Sequence, residues 1–100
     1  MAASKHNVKL LLAPVIEWIE RGGDAWEMNL AYWDTRRELM DMGEMFDGPP
    51  APLLSNIDTT MDSFSPDPGR GTHQIDEVQL RKELTAAIEG LRRLSFLTEE

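Results

Sequence analysis

Apolar residues recur along the chain at helical spacing. Val8, Leu11, Leu12, Val15 and Ile19 follow the i, i+3, i+4, i+7, i+11 pattern of one helix face, with Glu17, Glu20 and Arg21 opposite. This predicts a first helix over 8–21 with Asn7 as its N-cap and Gly22-Gly23 as its stop. Pro14 lacks an N–H and crowds the preceding turn. The apolar stripe keeps its phase across it, which favours a kinked helix over one that starts near Ala13. Leu10 and Trp18 fall toward the rim of this helix, where a dimer contact would find them.

A second helix is predicted over 25–42, opened by Asp24 and Glu27 at capping-box spacing and closed by Gly43. Trp26, Leu30, Trp33 and Met40 share one arc, read as its buried face, and Met28, Tyr32 and Leu39 widen it. Glu27, Asp34, Glu38 and Asp41 lie within about 60° of each other, away from the Trp stripe. Three prolines and two glycines make residues 43–52 a connector. The third helix, 52–64, buries Leu53, Leu54, Ile57, Met61 and Phe64 and turns Asp58 and Asp62 outward. Residues 65–74 read as a loop. A fourth helix over 77–94 has Asp76 as N-cap, Gln79 closing the box, and Ile75 and Leu80 at the positions of a hydrophobic staple. Leu80, Leu84, Ala87, Ile88, Leu91 and Leu94 form its apolar face, and Phe96 and Leu97 are expected to fold back on the core. No segment alternates with period two. The expectation is one all-α domain over 1–100, a small antiparallel four-helix bundle.

The 100 residues carry 18 acids against 10 bases, a net charge of −8. That surplus opposes direct binding to nucleic acid or to an anionic membrane, since both require cations on the protein. It is also unevenly placed. Residues 1–37 balance, residues 70–100 are net −1, and residues 38–69 hold seven acids and no base. Those acids are Glu38, Asp41, Glu44, Asp47, Asp58, Asp62 and Asp67. A solvated helix face is the ordinary meaning of such a run. A concentrated patch is also what docking to a basic surface requires.

Other chemistry finds little support. There is no cysteine, hence no disulfide or thiolate site. His6 and His73 are expected at the surface, and no metal site or cofactor is expected. Ser63, Ser65 and Ser95 have no base beside them in sequence, and Asp58 with Asp62 implies no pocket. Asp-Pro-Gly-Arg-Gly at 67–71 lacks the Lys-Ser/Thr of a phosphate loop. The three tryptophans read as core. The N-terminal apolar run is broken by Asn7, Lys9 and Glu17, unlike a signal peptide or a membrane span. A soluble cytoplasmic protein that is not an enzyme is expected.

Residues 53–91 carry a more particular pattern. A helix ends in Asp62, followed by Phe64-x-Pro66-Asp67, Arg70, Ile75-Asp76 and an amphipathic helix marked by Leu80 and Leu84. This resembles the colicin D-type immunity protein family of bacterial self-protective proteins. The resemblance implies a four-helix domain that binds the C-terminal nuclease domain of a cognate bacteriocin or contact-dependent toxin. In that family the toxin cleaves tRNA, and acidic groups on the immunity protein stand in for RNA phosphates at its active site. Asp62 and Asp67 are the positions that carry over. The expected partner is therefore a basic nuclease toxin domain, bound by a monomer of this chain as a heterodimer. The rival expectation is an acidic helical adaptor for a basic regulatory or nucleic-acid-binding protein. A small helical enzyme or metal-binding domain is a further alternative.

Overall fold

A computed structural model describes residues 4–67, 71 and 74–97. Pro68, Arg70, His73, Glu99 and Glu100 lie outside the described residues. Four helices form an all-α bundle: α1 (Lys5–Arg21), α2 (Ala25–Asp41), α3 (Ala51–Ser63) and α4 (Glu77–Arg93). Helix α1 packs along α2 and α3 along α4, and the two hairpins join through α1–α4 and α2–α3 contacts.

The helix ends follow local chemistry. Asp24 Oδ1 accepts the Glu27 backbone N–H at 3.0 Å and Asp76 Oδ1 accepts that of Gln79 at 2.9 Å. Each satisfies one of the free donors of a first helical turn. Two expectations need correction. Helix α1 starts one turn earlier, with Ser4 as its N-cap, and Asn7 is inside the helix. The Asn7 amide is drawn instead to Glu44, 37 residues away. The Gln79 side chain does not turn back to close a box but donates forward to Glu83 at 3.2 Å. Helix α1 runs on through Pro14, so a start near Ala13 is excluded.

The core takes Val8, Leu11, Leu12 and Val15 from α1, Leu54, Ile57 and Met61 from α3, and Leu80, Leu84, Ile88 and Leu91 from α4. Phe96 is buried and Leu97 packs against the same cluster, so the C-terminal segment folds back as the pattern predicts. Trp18 is in the core, as the reading of the tryptophans has it, and not at the rim where a dimer contact would find it. Its indole N–H donates to the Gly23 carbonyl at 3.1 Å, and the Arg81 guanidinium lies 4.3 Å from its ring centroid. Arg81 also donates to the Ile19 carbonyl at 2.7 Å and so ties α4 to the end of α1.

Helix α2 departs most from expectation. Its buried residues are Ala25, Met28, Asn29, Tyr32 and Leu39. Trp26, Leu30 and Met40 are exposed and Trp33 is half-buried. The helix is rotated so that the arc read as its flank faces the core.

Candidate functional site

The acids at issue lie on the half of the molecule built from α2, α3 and their connections. Three side-chain contacts hold α2 against α3. The Asn29 amide donates to the Met61 carbonyl at 2.9 Å, the Tyr32 hydroxyl donates to Asp58, and Arg36 Nη2 stands 2.8 Å from Asp58 Oδ2. These contacts run the two helices antiparallel. They also set the candidate carboxylates in three different roles.

Asp58 is turned inward, contrary to its expected place on the outer face. Its two oxygens are taken by Tyr32 and Arg36, and its side chain is 24% exposed. The aromatic partner responds. Burial pushes the Tyr32 hydroxyl well above its ordinary range, and the hydrogen bond to Asp58 and that carboxylate's negative charge push the same way, against the opposing pull of Arg36. Arg36 Nη1 is buried without a hydrogen-bond partner, while the guanidinium lies 5.0 Å from the Phe46 ring centroid. The ring face supplies electrostatic contact where a hydrogen bond is missing.

Glu44 is a fastener. One oxygen accepts the Asn7 amide at 2.8 Å and the Ser4 backbone N–H at 3.3 Å, and the other accepts the Phe46 backbone N–H at 2.8 Å. Desolvation raises its pKa. The bonds from Asn7 and from the Phe46, Ser4 and Met45 backbone outweigh that and hold the carboxyl below its ordinary value. Phe46, buried at a positive φ of 53°, is kept in place by this bond and by Arg36. Sequence reasoning missed both roles.

Glu38, Asp41, Asp47, Asp62 and Asp67 are exposed. The antiparallel pairing divides them. Glu38, Asp41 and Asp47 are at the C-terminal end of α2, and Asp62 and Asp67 are at the other end, beside its start. There Trp26 meets Phe64 with ring centroids 6.4 Å apart, and Pro66 lines the same cleft as Trp26 and Glu77. The fifteen helical steps from Trp26 to Asp41 span about 22 Å. The loop that carries Asp67 leaves from a closed neck. Ser65 N–H donates to the Ile75 carbonyl at 3.2 Å and Ile75 N–H to the Ser63 carbonyl at 2.8 Å. The seven acids therefore form no single patch, and Glu27 and Asp34 are further exposed acids on α2.

With helix neighbours assigned, the charge falls into two halves. Residues 24–67 contain ten acids and two bases, Arg36 and Arg37, for a net charge of −8 that equals that of the whole chain. Arg36 is bound to Asp58, and Arg37 stands 3.5 Å from Asp34. Helices α1 and α4 are each net +1. Among the described residues no group of three His, Asp or Glu side chains is placed to hold a metal ion. No described helix is long and apolar enough to cross a membrane. No family model, curated protein or solved structure matches the chain.

Proposed function

We propose that this chain is an immunity protein that binds and inhibits the C-terminal nuclease domain of a cognate toxin in the cytoplasm. The observation that carries the reading is the charge division: the α2–α3 half holds an excess of eight carboxylates, while α1 and α4 are slightly basic. A nuclease presents Lys and Arg to phosphates and a general acid or base to the ribose. Carboxylates set against that cleft occupy the cations and hold a catalytic histidine in its charged form. The resemblance of residues 53–91 to colicin D-type immunity proteins supports the same partner, with Asp62 and Asp67 at the contact. Asp58 and Glu44 support it indirectly, since they hold α3 and the connector in position.

Opposed charge also speeds encounter, toward about 10⁸ M⁻¹s⁻¹ at low salt. The test is co-purification and RNA-cleavage inhibition with the nuclease domain encoded beside this gene. Complex formation that weakens as salt rises, and weakens further in Asp62→Ala/Asp67→Ala, is expected. No complex at low salt overturns the proposal.

A further inference from the structure

The outward side of α2 carries a feature that net charge does not explain. Trp26, Leu30 and Met40 are 43%, 48% and 54% exposed. With half-buried Trp33 they occupy an arc of about 80° on a helix that turns 100° per residue, a stripe about 21 Å long. Single exposed apolar side chains are ordinary, but a row of them on one arc, interrupted only by the exposed Arg37 between Trp33 and Met40, marks a contact surface. Trp33 and Met40, with Arg36, Arg37 and Asp41, line an open groove of about 340 Å³. Where the apolar arc ends, Asp41, Asp34, Glu27 and Glu38 fill about the next 60° of the same helix. The core lies on the other side, through Tyr32 and Leu39.

We infer that this band of α2 is the docking face for a cationic protein surface: an apolar side chain of the partner enters the Trp33–Met40 groove, and Lys or Arg residues beside it meet the carboxylate row. Charge complementarity selects this occupant. A second copy of the chain would set carboxylate row beside carboxylate row if its α2 ran antiparallel and Arg37 against Arg37 if it ran parallel, and a polyanion would be repelled. Trp and Met suit the groove, because aromatic rings contribute large contact area and the thioether adapts its shape. The inference rests on the proposed function for the partner's positive charge, and adds to it the apolar anchor and the helix that receives it.

The test uses two probes on the full chain, followed by backbone NMR shifts. One is an amphipathic Leu/Lys peptide and the other is oligolysine of equal charge. The expected result is shift changes on α2 and the adjoining connector, with the Leu/Lys peptide bound at least about tenfold more tightly. Leu30→Ser/Met40→Ser should erase that preference while leaving the melting temperature near wild type, since both side chains are about half exposed. Equal binding of the two probes, shifts centred on α1 or α4, or a dimer in sedimentation that the double variant dissolves overturns the inference. Should the double variant not fold, the shift map on the wild-type chain decides alone. The nuclease domain separates this inference from the proposed function. If the domain binds with unchanged affinity to Leu30→Ser/Met40→Ser, the docking face is refuted and the function stands. If the Leu/Lys peptide maps to α2 and the domain does not bind, the function is refuted and the face stands.

Discussion

Asp58→Asn separates a structural acid from an exposed one at the same helical spacing. If Asp58 faced solvent in a crowd of like charges, neutralising it would relieve repulsion and leave stability unchanged or slightly higher. Its observed position dictates the opposite. The substitution removes the charge that Arg36 meets at 2.8 Å, and the two side chains are only 19% and 24% exposed. A hydrogen bond to a charged group contributes about 1.5–3 kcal/mol, and breaking a fully buried ion pair costs about 3–5 kcal/mol. Partial exposure places this pair near the lower figures. The Asn carbonyl still accepts the Tyr32 hydroxyl, so the expected loss is about 2 kcal/mol, rising to about 3 kcal/mol in Asp58→Ala, where that hydroxyl is also orphaned. For a domain of this size 2 kcal/mol lowers the melting temperature by about 8–16 °C.

Urea denaturation of wild type, Asp58→Asn, Arg36→Met and the double variant measures the coupling directly. Once Arg36 is gone, Asp58→Asn should cost less than about 0.5 kcal/mol. Asp62→Asn, one turn along α3 and exposed, serves as the control and should stay within about 0.5 kcal/mol of wild type. Equal, small effects at Asp58 and Asp62 would refute the argument that the α2–α3 contact depends on this ion pair.

Two further outcomes follow from the titrating groups. The chain has one tyrosine, so phenolate absorbance reports Tyr32 alone. Its folded pKa is raised, so the native chain should show no phenolate step near the ordinary value of about 10. Its stabilising contribution is complete below that pH and is lost as pH rises toward the folded value, and a normal step in the native protein would contradict the burial argument. Glu44 has the opposite sign: its folded pKa is lowered, so its contribution is present above the ordinary carboxylate value of about 4.3 and is lost as pH falls through the folded one. Glu44→Gln should therefore cost about 1 kcal/mol at neutral pH, a small figure because the site is only partly buried, and the gap to wild type should close in acid. A gap independent of pH in thermal melts would show that the carboxylate charge is not what Ser4, Asn7 and Phe46 require.

Much of the architecture was legible in the residue pattern. The capping aspartates, the Gly22-Gly23 break and the apolar faces of α1, α3 and α4 act within one or two turns, so local sequence specifies them, except that Leu94, expected on the α4 face, caps the helix and is exposed. Helix α2 was not legible in the same way, because apolar residues cover two neighbouring arcs. Met28, Tyr32 and Leu39 mark one, and Trp26, Leu30, Trp33 and Met40 mark the other. Periodicity favours the richer arc, and the polar side chains of Asn29 and Arg36 count against the one that is buried. Their partners, Met61 and Asp58, are 32 and 22 residues away. Only the packing of α3 against α2 makes those polar groups cheap to bury, and that packing turns the tryptophan arc outward. The same long-range pairing decided which acids face the solvent. Asp58 and Asp62 are alike in type and spacing, but only Asp58 meets Arg36 and Tyr32 across the helix interface. Sequence alone determined the helices, their ends apart from the start of α1, and the size of the charge surplus, because those depend on near neighbours and on composition. The tertiary structure alone decided which carboxylates are engaged inside and which apolar face is left for a partner, because a helix has no inside until another element is packed against it.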